Sequence, residues 1–313
     1  MGSHRAHSWH PTRIPLPPEL RGSSFRAAGP GPNGLGRGRL RAGDVDAPFH
    51  GIRSVDVALD DPIALARAYA PRLRPGQFYC HTTAALLWGI PLPLELEQSL
   101  DVHVGTTKGS KPRTRGVVGH EFRPLAVRHR NRMPVTTAAD TWCHLSSMLS
   151  REDLVAAGDF LISGQRIRSE IRTTPLCTPA DLADAASRYG RTPGAAGIRW
   201  ALPRLRAPVD SRRESLLRLL LVEHGLPEPV VAHPVAVAGG VVLHPDLSYP
   251  ALKIAIEYEG DEHRSSKRRW REDLRRVRLL EEAGWRVFRV TDDELNAPAA
   301  LVRAIRSAAT AAS

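Results

Sequence analysis

Several features that are common in secreted and membrane proteins are missing from this sequence. Its 313 residues include three cysteines, too few and too scattered for a disulfide framework. No apolar run is long enough to span a bilayer, and the first residues lack the apolar segment of a signal peptide. An apolar fraction of 42% and six tryptophans indicate folded domains. The sequence therefore predicts a folded, cytoplasmic protein that does not enter a membrane.

Lysine is also scarce. The chain has 4 lysines against 40 arginines, and its formal net charge is +11. The planar guanidinium group binds phosphate oxygens in pairs, although a GC-rich genome produces the same arginine excess. Residues 208–313 hold 16 basic and 16 acidic side chains, so the first 207 residues carry the whole excess. If the protein binds nucleic acid, we expect this upstream part to supply much of the non-specific attraction.

Shifts in composition divide the chain into four parts. Residues 1–36 are rich in Pro, Gly, Arg and His and predict a disordered or loosely ordered tail. Residues 37–55 resemble the end of a small helical module followed by a short strand. Residues 56–203 alternate helices with short strands, and Arg204 to Pro208, with Pro on both sides, form a linker before the last domain, 208–313.

The last domain has the clearest pattern of secondary structure. Helices are predicted at 211–224 and 265–283, with a final helix opened by a capping box at Thr291–Glu294. Strands are predicted at 229–237, 241–249, 252–259 and 285–290, and Gly239–Gly240 forms a tight turn between the first two. The predicted order is αβββαβα, so the fold class is α/β.

Three acidic residues of this domain are candidates for a metal site. On an alternating strand, Glu257 and Glu259 share one face, and the preceding strand brings Asp246. Converging carboxylates repel one another, so such a cluster predicts a bound cation, and oxygen ligands suit Mg²⁺ or Mn²⁺. The alternatives are a strand-end turn at Asp246 and a solvated strand face for the two glutamates.

Two further residues are candidates for catalysis. His263 follows the turn at Gly260 and has the side chain best suited to proton transfer near neutral pH, or it is a surface turn residue beside two acids. Glu214 can approach the acids from the first helix of the domain. It also completes a capping box with Ser211, and that local role accounts for it equally well.

The helix that begins near Arg264 carries eight basic residues as far as Arg278. They predict phosphate contacts beside the acidic site, or else an ordinary solvated face. Leu274 and Leu280 belong to its predicted buried stripe. Asp273 lies one turn before Arg276 and is a possible ion-pair partner for it. The candidate nucleic-acid-binding residues are Lys267, Arg268, Arg271, Arg275 and Arg276.

Two Cys–His dipeptides, Cys80–His81 and Cys143–His144, raise the question of zinc. Zinc ligands are separated by two to four residues, and adjacent ligands do not have that spacing. Both dipeptides stand at apolar segments, so we predict that they pack in the core.

The acids and their spacing resemble a known family. Residues 208–313 are similar to the Vsr-like branch of the PD-(D/E)xK nucleases, through Glu214, Asp246, the Glu257-x-Glu259-Gly sequence, His263, a D-x-x-R motif and GWRVFRV. The resemblance implies a restriction-endonuclease-like fold and Mg²⁺-dependent cleavage of DNA. Asp246 and Glu257 would hold the metal, Glu259 would support it, and His263 would assist proton transfer.

Two features depart from that family pattern. The wider superfamily has a lysine two residues after the position of Glu257, and this branch more often has an aspartate there. This chain has the longer Glu259. Lys253, placed by alternation on the same strand face, is the candidate replacement for the missing lysine.

The upstream part resembles a second family more loosely. The segments RLRAGDVDAPFHGIRS, FYCHTTAALLWGIPLP, GVVGHEF and VTTAADTWCHLSSMLSREDLVAAGDFLI are similar to AbiEi-type antitoxins of type IV toxin–antitoxin systems. That resemblance implies a mixed α/β domain at 56–203, a remnant of a winged helix at 37–55, and a toxin-type protein partner.

The favoured function is cleavage of DNA phosphodiester bonds by a metal-dependent endonuclease. The alternative is a non-catalytic DNA-binding regulator or antitoxin that keeps the nuclease fold as a binding surface. A purely structural protein accounts least well for the acidic residues.

Overall fold

The computed structural model describes residues 14–27, 35–168, 171–260 and 267–312. The chain divides into two units: residues 1–87 with 95–136, and residues 88–94 with 137–313. The predicted boundary at 204–208 falls inside the second unit, and it remains a prediction about sequence modules. No helix in the described ranges is long and apolar enough to cross a membrane.

The first unit opens with a two-stranded antiparallel sheet. Strand β1 (Ser23–Arg26) pairs with β2 (Ile52–Val55), and the described residues before Pro62 otherwise contain two 3-10 turns and no α-helix. Leu20, Val45 and Val55 form a small core beneath the pair. Residues 23–26, predicted to belong to the tail, are therefore part of a sheet, and residues 37–55 supply its second strand.

A mixed five-stranded sheet forms the rest of this unit, in the order β5-β4-β3-β7-β6. Strand β3 pairs antiparallel with β4 and parallel with β7, β4 pairs parallel with β5, and β6 pairs antiparallel with β7. The elements are α1 (Pro62–Tyr69), β3 (Gln77–Tyr79), α2 (His81–Trp88), α3 (Leu94–Glu97), β4 (Val102–Thr106), β5 (Val117–Glu121), β6 (Val127–Arg130) and β7 (Met133–Thr136).

The second unit begins with helices joined by a short hairpin. The bounds are α4 (Ala138–Leu145), α5 (Arg151–Ser163), β8 (Arg166–Arg168), β9 (Ile171–Arg172), α6 (Pro179–Tyr189) and α7 (Ala195–Ala201). The alternation of helices and short strands predicted for 56–203 is found here too. Helix α6 begins after Thr178, whose side chain forms a capping box with that of Asp181.

The C-terminal part of this unit is a four-stranded sheet between helices, in the order β10-β13-β14-β15. Strands β13 and β14 are antiparallel, whereas β14 and β15 are parallel and connected by α9. The elements are α8 (Arg212–Glu223), β10 (Val230–Val231), β11 (Val235–Val237), β12 (Val241–Leu243), β13 (Leu247–Tyr249), β14 (Ile254–Tyr258), α9 (Lys267–Glu282), β15 (Arg286–Val290), α10 (Asp292–Asn296) and α11 (Ala299–Ala312). The α/β class is confirmed.

Two predicted strands are interrupted in the structure. Ala232, at φ 47°, stands just before His233-Pro234 and separates β10 from β11, and Pro245 separates β12 from β13. Proline cannot donate to a strand ladder, so the strands break at these prolines. Strands β11 and β12 pair with each other in a separate two-stranded sheet, around the turn at Gly239 and Gly240. The predicted strands at 229–237 and 241–249 are therefore wrong as continuous elements.

The start of β14 and the buried face of α9 also differ from the predictions. Residues Pro250–Leu252 form a 3-10 turn and Lys253 has φ 50°, so β14 begins at Ile254 rather than at 252. In α9, Leu280 is fully buried but Leu274 is 39% exposed, so the predicted buried stripe is wrong at Leu274.

Helices α5 and α8 are joined by a buried ion pair. Arg218 and Asp159 are both fully buried, with an N–O distance of 3.1 Å. The same carboxylate accepts hydrogen bonds from the Ser215 hydroxyl (2.7 Å) and the Arg206 amide (2.6 Å). The cost of burying these charges is offset only while both partners are present.

We expect Arg218→Leu to lower the free energy of unfolding by about 3–5 kcal/mol, because the Asp159 carboxylate is then buried without its partner. Urea unfolding followed by circular dichroism measures the change. The control is Arg188→Leu, which removes a side chain that is 61% exposed and paired with Asp140. It should cost less than about 1 kcal/mol. Equal losses in the two variants would contradict the assigned role.

Candidate functional site

The pairing of β13 with β14 places two carboxylates side by side. Leu247 lies opposite Ile256, so continuing this antiparallel register brings Asp246 opposite Glu257. Leu247 and Ile256 face the core shared with α8 and α11, and the two acids face the opposite side of the sheet. The Tyr258 amide donates a 2.8 Å hydrogen bond to Asp246 Oδ2, which fixes this carboxylate against β14.

Glu214 approaches these acids from the first turn of α8. Its side chain is buried, and its Oε2 accepts a 3.0 Å hydrogen bond from the Asp210 amide. The Ser211 hydroxyl caps the helix by accepting from the Glu214 amide at 3.2 Å. The capping box predicted from sequence is half present, because the carboxylate binds the residue before the cap rather than the cap itself.

The three carboxylates are destabilised in their charged forms. Burial raises the pKa of Glu257 to about 8, and the charge of Asp246 adds to the effect. Burial likewise raises the pKa of Asp246, and it raises that of Glu214 well above its usual range, with the Asp246 charge as the next cause. A group of acids that are buried, as Glu214 is, or largely buried, as Asp246 and Glu257 are, and that have raised pKa values is electrostatically complementary to a cation or to protons.

Arg276 of α9 compensates part of this negative charge. Its Nε donates to Glu257 Oε1 at 3.0 Å, and one of its terminal nitrogens donates to the His244 carbonyl. The predicted pair with Asp273 is therefore wrong, since the guanidinium faces the strands. The contact with Glu257 also sets Arg276 apart from Arg275, which is exposed on the same helix.

Glu259 contacts different residues from the other predicted metal ligands. Its carboxylate forms an ion pair with Arg289 Nε, and its amide donates to the Val290 carbonyl at 2.7 Å. Among the residues that the structure describes, no three acids bring ligand atoms within 4.8 Å of one another. The expected grouping of Asp246, Glu257 and Glu259 as three close ligands is therefore not formed.

Lys253, the candidate lysine of this site, also lies away from the acids. Lys253 precedes β14 and its side chain lies beside Gly284, so the prediction that it shares the face of Glu257 is wrong. The whole of His263, and the side chains of Lys267, Arg268 and Arg271, lie outside the described residues.

Sequence reasoning missed the hairpin β8–β9, which also reaches this site. Arg166 and Arg172 both form ion pairs with Asp210, whose amide holds Glu214. The positive charge of Arg166 lowers the pKa of both Asp246 and Glu257, against the larger effect of burial. No motif marked these arginines, because they come from a segment upstream of the nuclease-like resemblance.

A second group of metal-type side chains lies in the first unit. In the described ranges, one set of three His, Cys or acidic residues brings its ligand atoms within 4.8 Å: Cys80, His81 and His120. The rings of His81 and His120 stack face to face, with centroids 3.9 Å apart, and His103 Nδ1 lies 3.0 Å from His120 Nε2. Cys80 is fully buried and His81 is 8% exposed.

The predicted core packing of the two Cys–His dipeptides is confirmed by burial, since Cys80, His81, Cys143 and His144 are all buried. Burial raises the pKa of the Cys80 thiol and, to about 12, that of Cys143, which keeps both thiols protonated.

Comparison with known proteins gave two relatives. Both are proteins of Mycobacterium tuberculosis, from the CDC 1551 and H37Rv strains, and both are named as uncharacterized. Each is 25% identical to this chain over 216 residues, which cover 69% of this chain and 74% of the relative. No family model and no solved structure matched the chain. The similarity therefore extends beyond the last domain, and the relatives' names assign no activity.

In the presence of a chelator, we expect the free energy of unfolding to fall as pH rises from about 5 to 8. Native Glu257, with a pKa of about 8, keeps a proton that the unfolded chain releases above about pH 4.3. The native state binds more protons in this window, so raising pH favours unfolding. Urea titrations at several pH values measure the slope.

Glu257→Gln should make that slope less steep by up to about 1.4 kcal/mol per pH unit, the contribution of one proton. The control is Glu281→Gln, which changes an exposed acid on α9. Its slope should match that of the unaltered protein. If Glu257→Gln also leaves the slope unchanged, Glu257 does not hold a proton in this range.

Proposed function

We propose that residues 208–313 form a metal-dependent endonuclease of the Vsr-like type that hydrolyses DNA phosphodiester bonds. The observation that supports this most is the cross-strand pair of Asp246 and Glu257, with the buried Glu214 beside it. Buried acids are costly, and a sheet that brings them together without a chemical role would lose stability for no gain.

The residues present fit a hard divalent cation. All three side chains offer carboxylate oxygens, and Mg²⁺ commonly uses one or two carboxylates while keeping several waters. Asp246 and Glu257 would hold the ion, so the ion pair of Glu259 with Arg289 does not exclude it. When bound, Mg²⁺ or Mn²⁺ would polarise a phosphoryl oxygen and make a water molecule a stronger nucleophile.

Protein groups would perform the other tasks. Arg276 and Arg166 place two guanidinium charges near the acids, where they offset repulsion between the carboxylates and a phosphate. The carboxyl group of Glu214, whose pKa is raised by burial, can hold a proton close to the reacting groups. His263 is assigned to proton transfer by the resemblance alone.

One observation favours the alternative, a non-catalytic DNA-binding regulator or antitoxin. Glu257 already pairs with Arg276, and Glu259 already pairs with Arg289. Guanidinium groups in these places supply positive charge to the acids without a metal. In that case the acids are structural, the domain keeps the nuclease fold as a binding surface, and the toxin-type partner implied by the upstream resemblance becomes the relevant ligand.

The two functions are separated by a cleavage assay on supercoiled plasmid with Mg²⁺, Mn²⁺ or a chelator. We expect nicking or linearisation with either metal, and loss of cleavage in Asp246→Asn and Glu257→Gln because each removes a charged ligand. Glu281→Gln, which changes an exposed acid of the same unit, should cleave normally. If all four proteins leave the plasmid intact under every condition but bind it, the regulator is the correct function.

Arg166 provides a test of the contribution from the hairpin β8–β9. We expect Arg166→Gln to lower kcat/KM by about 10- to 100-fold, because a charge-assisted contact of about 1.5–3 kcal/mol is lost. It should also move the acidic limb of the pH–rate profile to higher pH, since its charge lowers the pKa of Asp246 and Glu257.

The control for this test is Arg199→Gln, an equal loss of charge at an exposed position in α7. Arg166→Lys, which keeps a positive charge, should recover part of the activity. A pH–rate profile that is unchanged in Arg166→Gln would show that Arg166 serves only to hold Asp210.

A further inference from the structure

The first unit contains a cleft whose rim is strongly basic. It encloses about 430 Å³ between the β1–β2 sheet, the end of α1 and the loop at 110–114. Its floor includes Ile52, Tyr69 and Gln77, all of them buried. Its lining contains no acidic residue and five cationic ones: Arg26, Arg72, Arg74, Lys111 and Arg113.

Two cations of this basic cleft are positioned by backbone carbonyl groups rather than by acids. Arg26 Nε donates to the Pro71 carbonyl at 2.6 Å, and Arg72 donates to the His50 carbonyl at 2.6 Å. Within the part of the chain that the structure describes, none of the five forms an ion pair with a carboxylate. Five uncompensated charges around one cleft repel each other, and an anion would remove that cost.

The loop that supplies Lys111 is held in place by its backbone. The Val117 amide donates to the Thr114 carbonyl at 3.0 Å, which closes a turn just before β5. Gly119 of β5 lies directly under Pro112, and a Cβ at Gly119 would overlap the Pro112 carbonyl oxygen. The loop that carries Lys111 and Arg113 therefore packs against β5 at Pro112, which reduces the ordering cost of binding.

We propose that this basic cleft is a binding site for the phosphodiester backbone of nucleic acid. Arginine forks bind phosphate oxygens in pairs, and several cations along one rim match a run of phosphates better than a single ion. Tyr69 is only 2% exposed, so its ring cannot stack with a base, and His50 is the one other aromatic side chain in the lining. That favours a backbone contact over recognition of a free nucleotide.

The test measures binding of a labelled duplex to the full-length chain by fluorescence anisotropy, with chelator present to prevent cleavage. The cleft variant combines Arg74→Gln, Lys111→Gln and Arg113→Gln, three exposed positions. The slope of log K against log salt concentration should become shallower by about 2–3, because about three phosphate contacts are lost.

The matched control carries the same change of charge elsewhere in the unit, with Arg123→Gln, Arg128→Gln and Arg132→Gln, all at exposed positions. Its slope should change by less than about 1. Equal changes in both triple variants would overturn the proposal, because attraction would then follow net charge rather than the cleft. Absence of duplex binding by the unaltered chain would overturn it too.

A competition experiment distinguishes the sources of phosphate. Unlabelled duplex should displace the labelled duplex, whereas ATP or inorganic pyrophosphate should do so only at far higher concentration. Displacement by ATP at concentrations similar to duplex would show a nucleotide site and overturn the proposal. Thermal unfolding of both triple variants verifies their fold, and single substitutions replace a triple that fails to fold. Because the readout is binding, the result is independent of whether residues 208–313 cleave DNA.

Discussion

The arrangement of the candidate site depends on the register between β13 and β14. In an antiparallel pair, a slip of one residue turns every side chain to the other face of the sheet. With Leu247 opposite Ile256, the apolar residues of both strands enter the core under α8 and α11, and Asp246 and Glu257 meet on the other side. Burial of the apolar face thus enforces the proximity of two charges that repel each other.

That repulsion explains the positions of the surrounding cations. Arg276 comes from the helix packed over the acidic face, and Arg166 comes from a hairpin outside the last predicted domain. Each lowers the pKa of Glu257, yet burial prevails and the pKa remains near 8. The site is thus only partly compensated by protein groups, which is the electrostatic condition that a bound divalent cation would meet.

Much of the last domain could be predicted from periodicity and turn residues. Helices α8 and α9 and the turn at Gly239–Gly240 follow from local patterns that the core then satisfies. The breaks in the strands depend on how Pro245 and its neighbours pair, and alternation alone gave no indication of them.

The errors at charged residues have a different origin. Alternation predicts which face Glu259 occupies but not which cation will reach it, and Arg289 comes from a strand 30 residues later. Arg166 is even further away in sequence from the acids whose pKa it lowers. Such partners are set by tertiary packing between segments that are distant in sequence, where local propensity carries no information.

The buried pair of Arg218 and Asp159 limits how this chain can be rearranged during evolution. Asp159 belongs to the predicted middle domain, 56–203, and Arg218 belongs to the predicted last domain, 208–313. A recombination event that exchanged either segment for one from a chain without this pair would bury one charge without the other. The two segments are therefore expected to be inherited together, or to lose both charges together, so a chimaera of related chains folds only when both positions come from the same parent or both are apolar.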